Sequence, residues 1–261
     1  MYQNIIYEKR NRIAILTLNR PASLNAMDSL TMDEVCDAVR SFKNDPEALA
    51  LVITGAGDRA FAAGADINEM NGLSGGNEMM QYLQRGQGMV NLIENIGKPT
   101  IAAINGYALG GGCELALCCT FGMASQSARI GLPVIKLGSI PGMGGTQRLP
   151  RIVGKQKAIE MMLTARWIDA DEALRVGLVR SVHPDKETLL AAAEEFAQTL
   201  AEKAPIAVRY TLEAVNRGME MPLAEALVFE TSLVSLLFES EDMKEGIKAF
   251  REKRPAEFKG K

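Results

Sequence analysis

Two stretches limit the possible folds more than any others: ALALVITGAG (Ala48–Gly57) and TIAAING (Thr100–Gly106). Both are near-continuously apolar, and glycines stop them. A strand with one wet face alternates apolar and polar residues. A strand apolar at nearly every position is covered on both faces, as parallel strands flanked by helices are. Segments of helical period separate them. In SLTMDEVCDAVRSFKND, Leu30, Val35, Ala38, Val39 and Phe42 share one face, and EMMQYLQRGQGMVNLIENIG ends at Gly97 and Pro99. With RIAILTLNR (Arg12–Arg20) as another strand closed by Pro21, the order is βαβα, which predicts an α/β fold with parallel pairing.

The second half changes character. GKQKAIEMMLTA, DADEALRVG, KETLLAAAEEFAQTLAEKA, PIAVRYTLEAVNRGME and PLAEALVFETSLVSLLFESEDMKEGIKAFREKR all read as helices. The shift begins near Ile168. It predicts an α/β core over residues 1–195 and a helical C-terminal region over 196–261. The final KRPAEFKGK reads either as a solvated tail or as a contact with a phosphate or a neighbouring subunit.

Composition removes several functions. The net charge is −3 with both signs mixed, so nothing favours nucleic acid or an anionic membrane. No apolar run reaches the ~18 residues a spanning helix needs, and MYQNIIYEKRNR lacks the apolar segment of a signal peptide, so the expected location is cytoplasmic. Cys36, Cys113, Cys118 and Cys119 form no C-x-x-C pair and read as reduced, buried side chains. The only histidine, His183, sits before Pro and Asp in what reads as a surface turn. Unless it acts alone as a base, histidine-based triads and metal sites are out, and no metal is expected.

TGAGDRA (Thr54–Ala60) imitates a dinucleotide fingerprint. However, a further glycine follows too soon for a full helix, and no acidic residue closes a second strand at the usual distance. No phosphate-binding G-x-x-x-x-G-K-[ST] loop or G-x-S-x-G elbow is present. Two glycine-bearing turns remain: FAAGADI (Phe61–Ile67) and GYALGGGCE (Gly106–Glu114). In each, a strand ends, small residues follow and a helix begins. Helix N-termini present unpaired N–H groups, and two of them converging would make an oxyanion hole. The same glycines could equally serve only tight turns and close packing. Glu114 lies one turn into a helix continuing as LALCC. A first-turn glutamate can complement the helix dipole, but a carboxylate buried there gains a raised pKa, as an acid–base catalyst requires.

At these residues the chain resembles the enoyl-CoA hydratase/isomerase, or crotonase, family. The resemblance runs over nearly the whole chain, through LNRPASLNAM, FAAGADINEM, KPTIAAINGYALGGGCELAL, GLPVIKLGSIPGMGGTQRLPRIVG and GIKAFREKRPAEF. It implies a spiral of ββα units with a C-terminal helical region, assembled as a trimer or a dimer of trimers. It implies an oxyanion hole at the N–H groups of Ala65 and Gly111, gripping an acyl-CoA thioester oxygen. It places coenzyme contacts at Ala26, Ala63, Asp66 and Ile67, and gives Phe250 and Lys253 to a neighbouring subunit's coenzyme. Coenzyme A enters as part of the substrate, and no separate cofactor is implied. Glu114 matches the first of the two glutamates that hold water in typical hydratases of the family. Where the second belongs, this chain has Val134, and the family's aspartate after the cysteine pair is Thr120.

The leading expectation is therefore hydration of a 2-enoyl- or dienoyl-CoA, or the reverse dehydration, on one carboxylate, Glu114. Decarboxylation of a malonyl-type thioester would suit an apolar Val134. A non-catalytic acyl-CoA-binding protein is the third alternative. The pocket wall is expected from the Gln81–Ile93 helix and the IPGMGG loop. Of the methionines Met79, Met80, Met89 and Met143, most are expected to fill core.

Overall fold

The three strands expected from apolar runs lie side by side in a computed structural model that describes residues 1–261. From the N-terminus, a hairpin of β1 (Ile5–Arg10) and β2 (Ile13–Leu18) leads into α1 (Ser29–Asn44). Three ββα units follow. In the first, β3 (Ala50–Gly55) and β4 (Ala60–Ala62) precede α2 (Ile67–Asn71) and α3 (Gly76–Glu94). In the second, β5 (Thr100–Ile104) and β6 (Tyr107–Leu109) precede α4 (Gly111–Leu117). In the third, β7 (Phe121–Ser125) and β8 (Arg129–Gly131) lead through a 3-10 turn, Pro133–Leu137, to α5 (Gly145–Val153) and α6 (Lys155–Thr164). The chain continues as β9 (Ile168–Asp169), α7 (Ala170–Arg175), β10 (Val182–His183), α8 (Lys186–Ala201), α9 (Pro205–Gly218), α10 (Leu223–Phe238) and α11 (Glu241–Glu252).

The first strand of each unit joins a six-stranded sheet of order β1-β2-β3-β5-β7-β10, and the second joins a four-stranded sheet of order β4-β6-β8-β9. The chain thus steps from the large sheet to the small one and back three times, which makes the expected spiral. Pairing is parallel from β2 to β10 and antiparallel only at β1–β2 and β8–β9.

Burial on both faces of the large sheet shows directly in the strand period. Leu16, Leu51, Ile53, Ala102 and Ile104 face the main core with α1 and α3. The alternate residues Ile13, Ile15, Val52, Ile101 and Ala103 face a second core, closed by Leu189, Ala193, Ala197 and Ala201 of α8. That helix is one unit, so a division after residue 195 falls inside it, and the core runs on to Ala201.

The long C-terminal stretch read as one helix is two. Ser240 ends α10 and caps α11, its hydroxyl accepting the Met243 N–H at 3.1 Å. The tail is tied down rather than solvated: the buried Asp242 carboxylate accepts the N–H groups of Lys259 (2.7 Å) and Gly260 (2.8 Å). His183 is not in a turn. It lies in β10 beside β7, its Nε2 within 3.0 Å of the Ser181 hydroxyl. The TGAGDRA glycines end β3 and start no helix. No helix is long and apolar enough to cross a membrane.

Candidate active site

The two glycine-bearing turns meet where β4 and β6 of the small sheet end, side by side and parallel. Each small strand intervenes between the large sheet and the following helix. After β4, Gly64 adopts φ +116° and leads to Ala65 and to α2. After β6, Gly110 adopts φ +51° and ψ −122°, a conformation open to glycine, and leads into α4. The three glycines of GGGCE divide the work. Gly110 supplies the turn. A side chain on Gly112 would overlap Ala62 O of β4, so that residue sets how closely α4 approaches the small sheet.

Gly111 opens the helix beside Ala65. A Cβ built on Gly111 would stand 3.4 Å from Ala65 N, and one on Gly64 would stand 3.6 Å from Gly111 N, so the two amides are near neighbours. Met27 and Ala65 form an isolated parallel bridge: Met27 N–H donates to Gly64 O (2.8 Å) and Asp66 N–H to Met27 O (3.0 Å). Along an extended backbone the intervening Ala65 N–H faces the other way. Gly111, as the first residue of α4, has no intrahelical acceptor for its N–H. Neither N–H is engaged by a carbonyl or a side chain.

Glu114 lies in the first turn of α4 and is 3% exposed. Its Oε1 accepts two main-chain N–H groups, from Met143 and Gly145, each at 2.7 Å. Its Oε2 makes no hydrogen bond and is not sealed from solvent, since no fully buried side-chain oxygen lacks a partner. One oxygen is fixed and the other is available. Burial pushes the Glu114 pKa up, while the two amides and the nearby Arg148 guanidinium pull against it. The other buried carboxylates, Asp66 and Asp242, are committed to Arg20 and to the C-terminal tail. Val134 lies half-buried in the Pro133–Leu137 turn, its Cγ2 3.8 Å from a Cβ built on Gly110. It therefore sits beside the same turn and presents methyl groups there.

Ala26 and Asp66 are drawn together by a residue that sequence reasoning missed. Arg20 donates from Nη1 to Ala26 O (2.6 Å) and pairs with Asp66 Oδ2 (2.9 Å) and Asp28 Oδ2 (3.1 Å). Burial alone would raise the Asp66 pKa. Arg20 and the Asn68 N–H it caps hold it below the usual carboxylate value. Ala63 N–H donates to Leu24 O at 3.0 Å, and Asn25 ties the same turn to Ala56 O and Ala60 O. Ile67 is 56% exposed at the start of α2. Phe250 is 85% exposed near the end of α11, with Lys253 as that helix's left-handed cap. Met89 and Met143 are buried in the main core, whereas Met80 is exposed. The amides of Met143 and Gly145 were also missed, because main-chain groups leave no mark in a sequence.

Known proteins agree with this architecture. The family description Enoyl-CoA hydratase/isomerase matches residues 8–261. A crotonyl-CoA hydratase of Syntrophomonas wolfei subsp. wolfei is 46% identical over 98% of both chains. A short-chain-enoyl-CoA hydratase of Clostridium acetobutylicum is 44% identical over 97% of both. The crystal structure of an enoyl-CoA hydratase from Bacillus anthracis superposes with a TM-score of 0.95 at 36% identity, covering 99% of this chain and 100% of that one. Similarity of this extent reaches both sheets, the turns between them and the C-terminal helices, and on it the chain belongs to the enoyl-CoA hydratase/isomerase family.

Proposed function

We propose that this protein adds water across the double bond of a short-chain 2-enoyl-CoA or dienoyl-CoA thioester, or removes it in reverse, with Glu114 as the one acid–base carboxylate. The thioester oxygen lies between the N–H groups of Ala65 and Gly111. Glu114 Oε2 accepts a proton from water as the water oxygen bonds to C3. The displaced π electrons move onto the thioester oxygen, where the two amides stabilise them. The enolate then collapses, and C2 takes the proton from Oε2, which returns Glu114 to its carboxylate. The sum is the addition of one water, and every group used belongs to this chain.

The observation that carries this reading is the pairing of an unbonded, accessible Oε2 with two neighbouring unengaged amides. Oxyanion donors contribute most: losing one costs about 3 kcal/mol in comparable sites. The Ala26, Ala63, Asp66 and Ile67 turn, braced by Arg20, is the proposed landing for the coenzyme, and Val134 forms an apolar wall by the acyl group.

Assembly as a trimer or a dimer of trimers belongs to the same proposal. Leu227, Val228, Val234, Leu236 and Phe238 of α10 are exposed, an apolar surface suited to a second copy. Phe250 and Lys253 would then reach a neighbouring site, and sedimentation would show three or six chains.

The test is a panel of crotonyl-, dienoyl- and malonyl-type CoA esters. Turnover of an enoyl ester supports hydration. Release of CO₂ from methylmalonyl-CoA without water addition to crotonyl-CoA would replace it by decarboxylation, and tight binding with no turnover by a binding role.

A further inference from the structure

We infer that Arg148 is a positioning residue for Glu114, holding the turn whose two amides fix Oε1 and thereby aiming Oε2. The inference rests on the acid–base role proposed above for Glu114. The turn in question, Met143-Gly144-Gly145, belongs to neither sheet. It follows Gly138 and Gly142. Although the Met143 side chain is buried in the main core, the glycine peptides beside it have no side chains of their own to hold them, so some other group must set their place to the accuracy a proton transfer needs.

Arg148 supplies that group from the first turns of α5. Its Nη1 donates to Met143 O at 3.2 Å. A Cβ on Gly144, at φ +104°, would overlap the same Nη1, so the end of the guanidinium abuts the turn. Behind it, Nε and Nη2 form a fork on Glu94, at 3.0 and 2.6 Å, and Nη2 also donates to Asn91 Oδ1 at 2.7 Å. Glu94 and Asn91 end α3, a helix packed in the main core. A rigid path therefore runs from α3 through Arg148 to the Met143 carbonyl, and from the turn's amides to Oε1. Gln87 of the same helix supports it with a bond from Nε2 to Gly142 O at 2.8 Å.

Charge acts along the same path. The titratable groups facing Glu114 are Arg148 from α5 and the neutral Cys113 thiol on its own helix; Glu94 acts through Arg148. Only the planar fork meets Glu94, Asn91 and the turn at once, and a lysine cannot reproduce it.

The experiment compares Arg148→Met, Arg148→Lys and Glu94→Gln in the full-length enzyme. Two readouts are taken: crotonyl-CoA kinetics across pH, and the Glu114 carboxyl titration by difference infrared spectroscopy against matched Glu114→Gln proteins. For Arg148→Met, kcat falls about 10²-fold with KM nearly unchanged, the size expected for a slightly misplaced catalytic group. The acid limb of kcat and the infrared midpoint both move to higher pH, because the neutralising cation is gone. Arg148→Lys keeps the charge and holds the midpoint near its original pH while recovering only part of kcat.

Glu94→Gln separates placement from charge, and also serves if Arg148→Met does not fold. Arg148 loses its counter-charge, so the infrared midpoint moves to lower pH, yet kcat falls because the fork is loosened. A loss confined to KM, or an unmoved infrared midpoint in folded Arg148→Met, overturns the inference. If the wild-type protein hydrates no enoyl-CoA, the functional reading fails, while the infrared midpoints still decide the role of Arg148.

Discussion

Replacing Glu114 by Gln should abolish hydration while leaving the fold intact. The amide oxygen of Gln can accept the same two bonds that Met143 and Gly145 give to Oε1 at 2.7 Å. Its NH₂ then takes the position of Oε2 on the open side. Geometry is kept and only proton transfer is lost. One acid–base group is worth roughly 10²–10⁴ in rate. In the proposed mechanism the same carboxyl both takes and returns the proton, Val134 offers no substitute, and the other buried carboxylates are committed elsewhere. The loss should fall at the upper end, ~10⁴-fold, or about 5.4 kcal/mol of transition-state stabilisation. The assay follows loss of the conjugated enoyl absorbance, with thioester affinity measured separately by calorimetry and expected to be unchanged.

Stability supplies a second check, with its sign set by burial. Burial holds the folded Glu114 pKa above its ordinary value of 4.5. Over that window the native chain binds the proton more tightly than the unfolded chain, so wild-type stability declines as pH rises through it. Gln has no such dependence, and the variant should gain on the wild type across the same range. Retention of more than about 1% of turnover, against the losses typical of an acid–base group, would remove Glu114 from the chemistry. A misfolded variant that binds substrate poorly would instead refute the premise that Gln preserves the geometry.

Val134→Glu places a second carboxylate beside Gly110 and should raise kcat on crotonyl-CoA about 10-fold or more if a missing acid–base group limits the rate; steady-state kinetics decide it, and an unchanged kcat means the apolar wall suits the substrate. Gly112→Ala drives a methyl into Ala62 O and should cost about 3 kcal/mol, read as a lowered denaturation midpoint. Lys98→Met removes the ammonium that binds Phe42 O (2.8 Å), Asp45 O (2.7 Å) and Ala48 O (2.8 Å) around the end of α1, at a cost of roughly 2 kcal/mol in chemical denaturation.

What could be read before the structure follows from how much each element depends on its own residues. Strands β2, β3 and β5 were legible because burial on both faces leaves an uninterrupted apolar run. The small-sheet strands β4, β6 and β8 have three residues each, too few to show any period; β4 and β6 were read as parts of turns and β8 was not read at all. Helix α5 was concealed by the glycines before it and by Pro150 inside it. The break at Ser240 carries neither Gly nor Pro, and only a serine followed by two acidic residues marks it. Glu114 stood out because its neighbours are apolar. Arg148 did not, since its partner Glu94 lies 54 residues away and nothing local announces the fork.

The asymmetry of the Glu114 carboxyl has a stereochemical consequence. With Oε1 held by two amides, Oε2 is the oxygen left to take a proton, and in the proposed reaction it works from one side of the planar enoyl group. The hydroxyl at C3 and the hydrogen at C2 must then arrive from that same side. In heavy water the product would carry its deuterium syn to the new hydroxyl, as a single diastereomer.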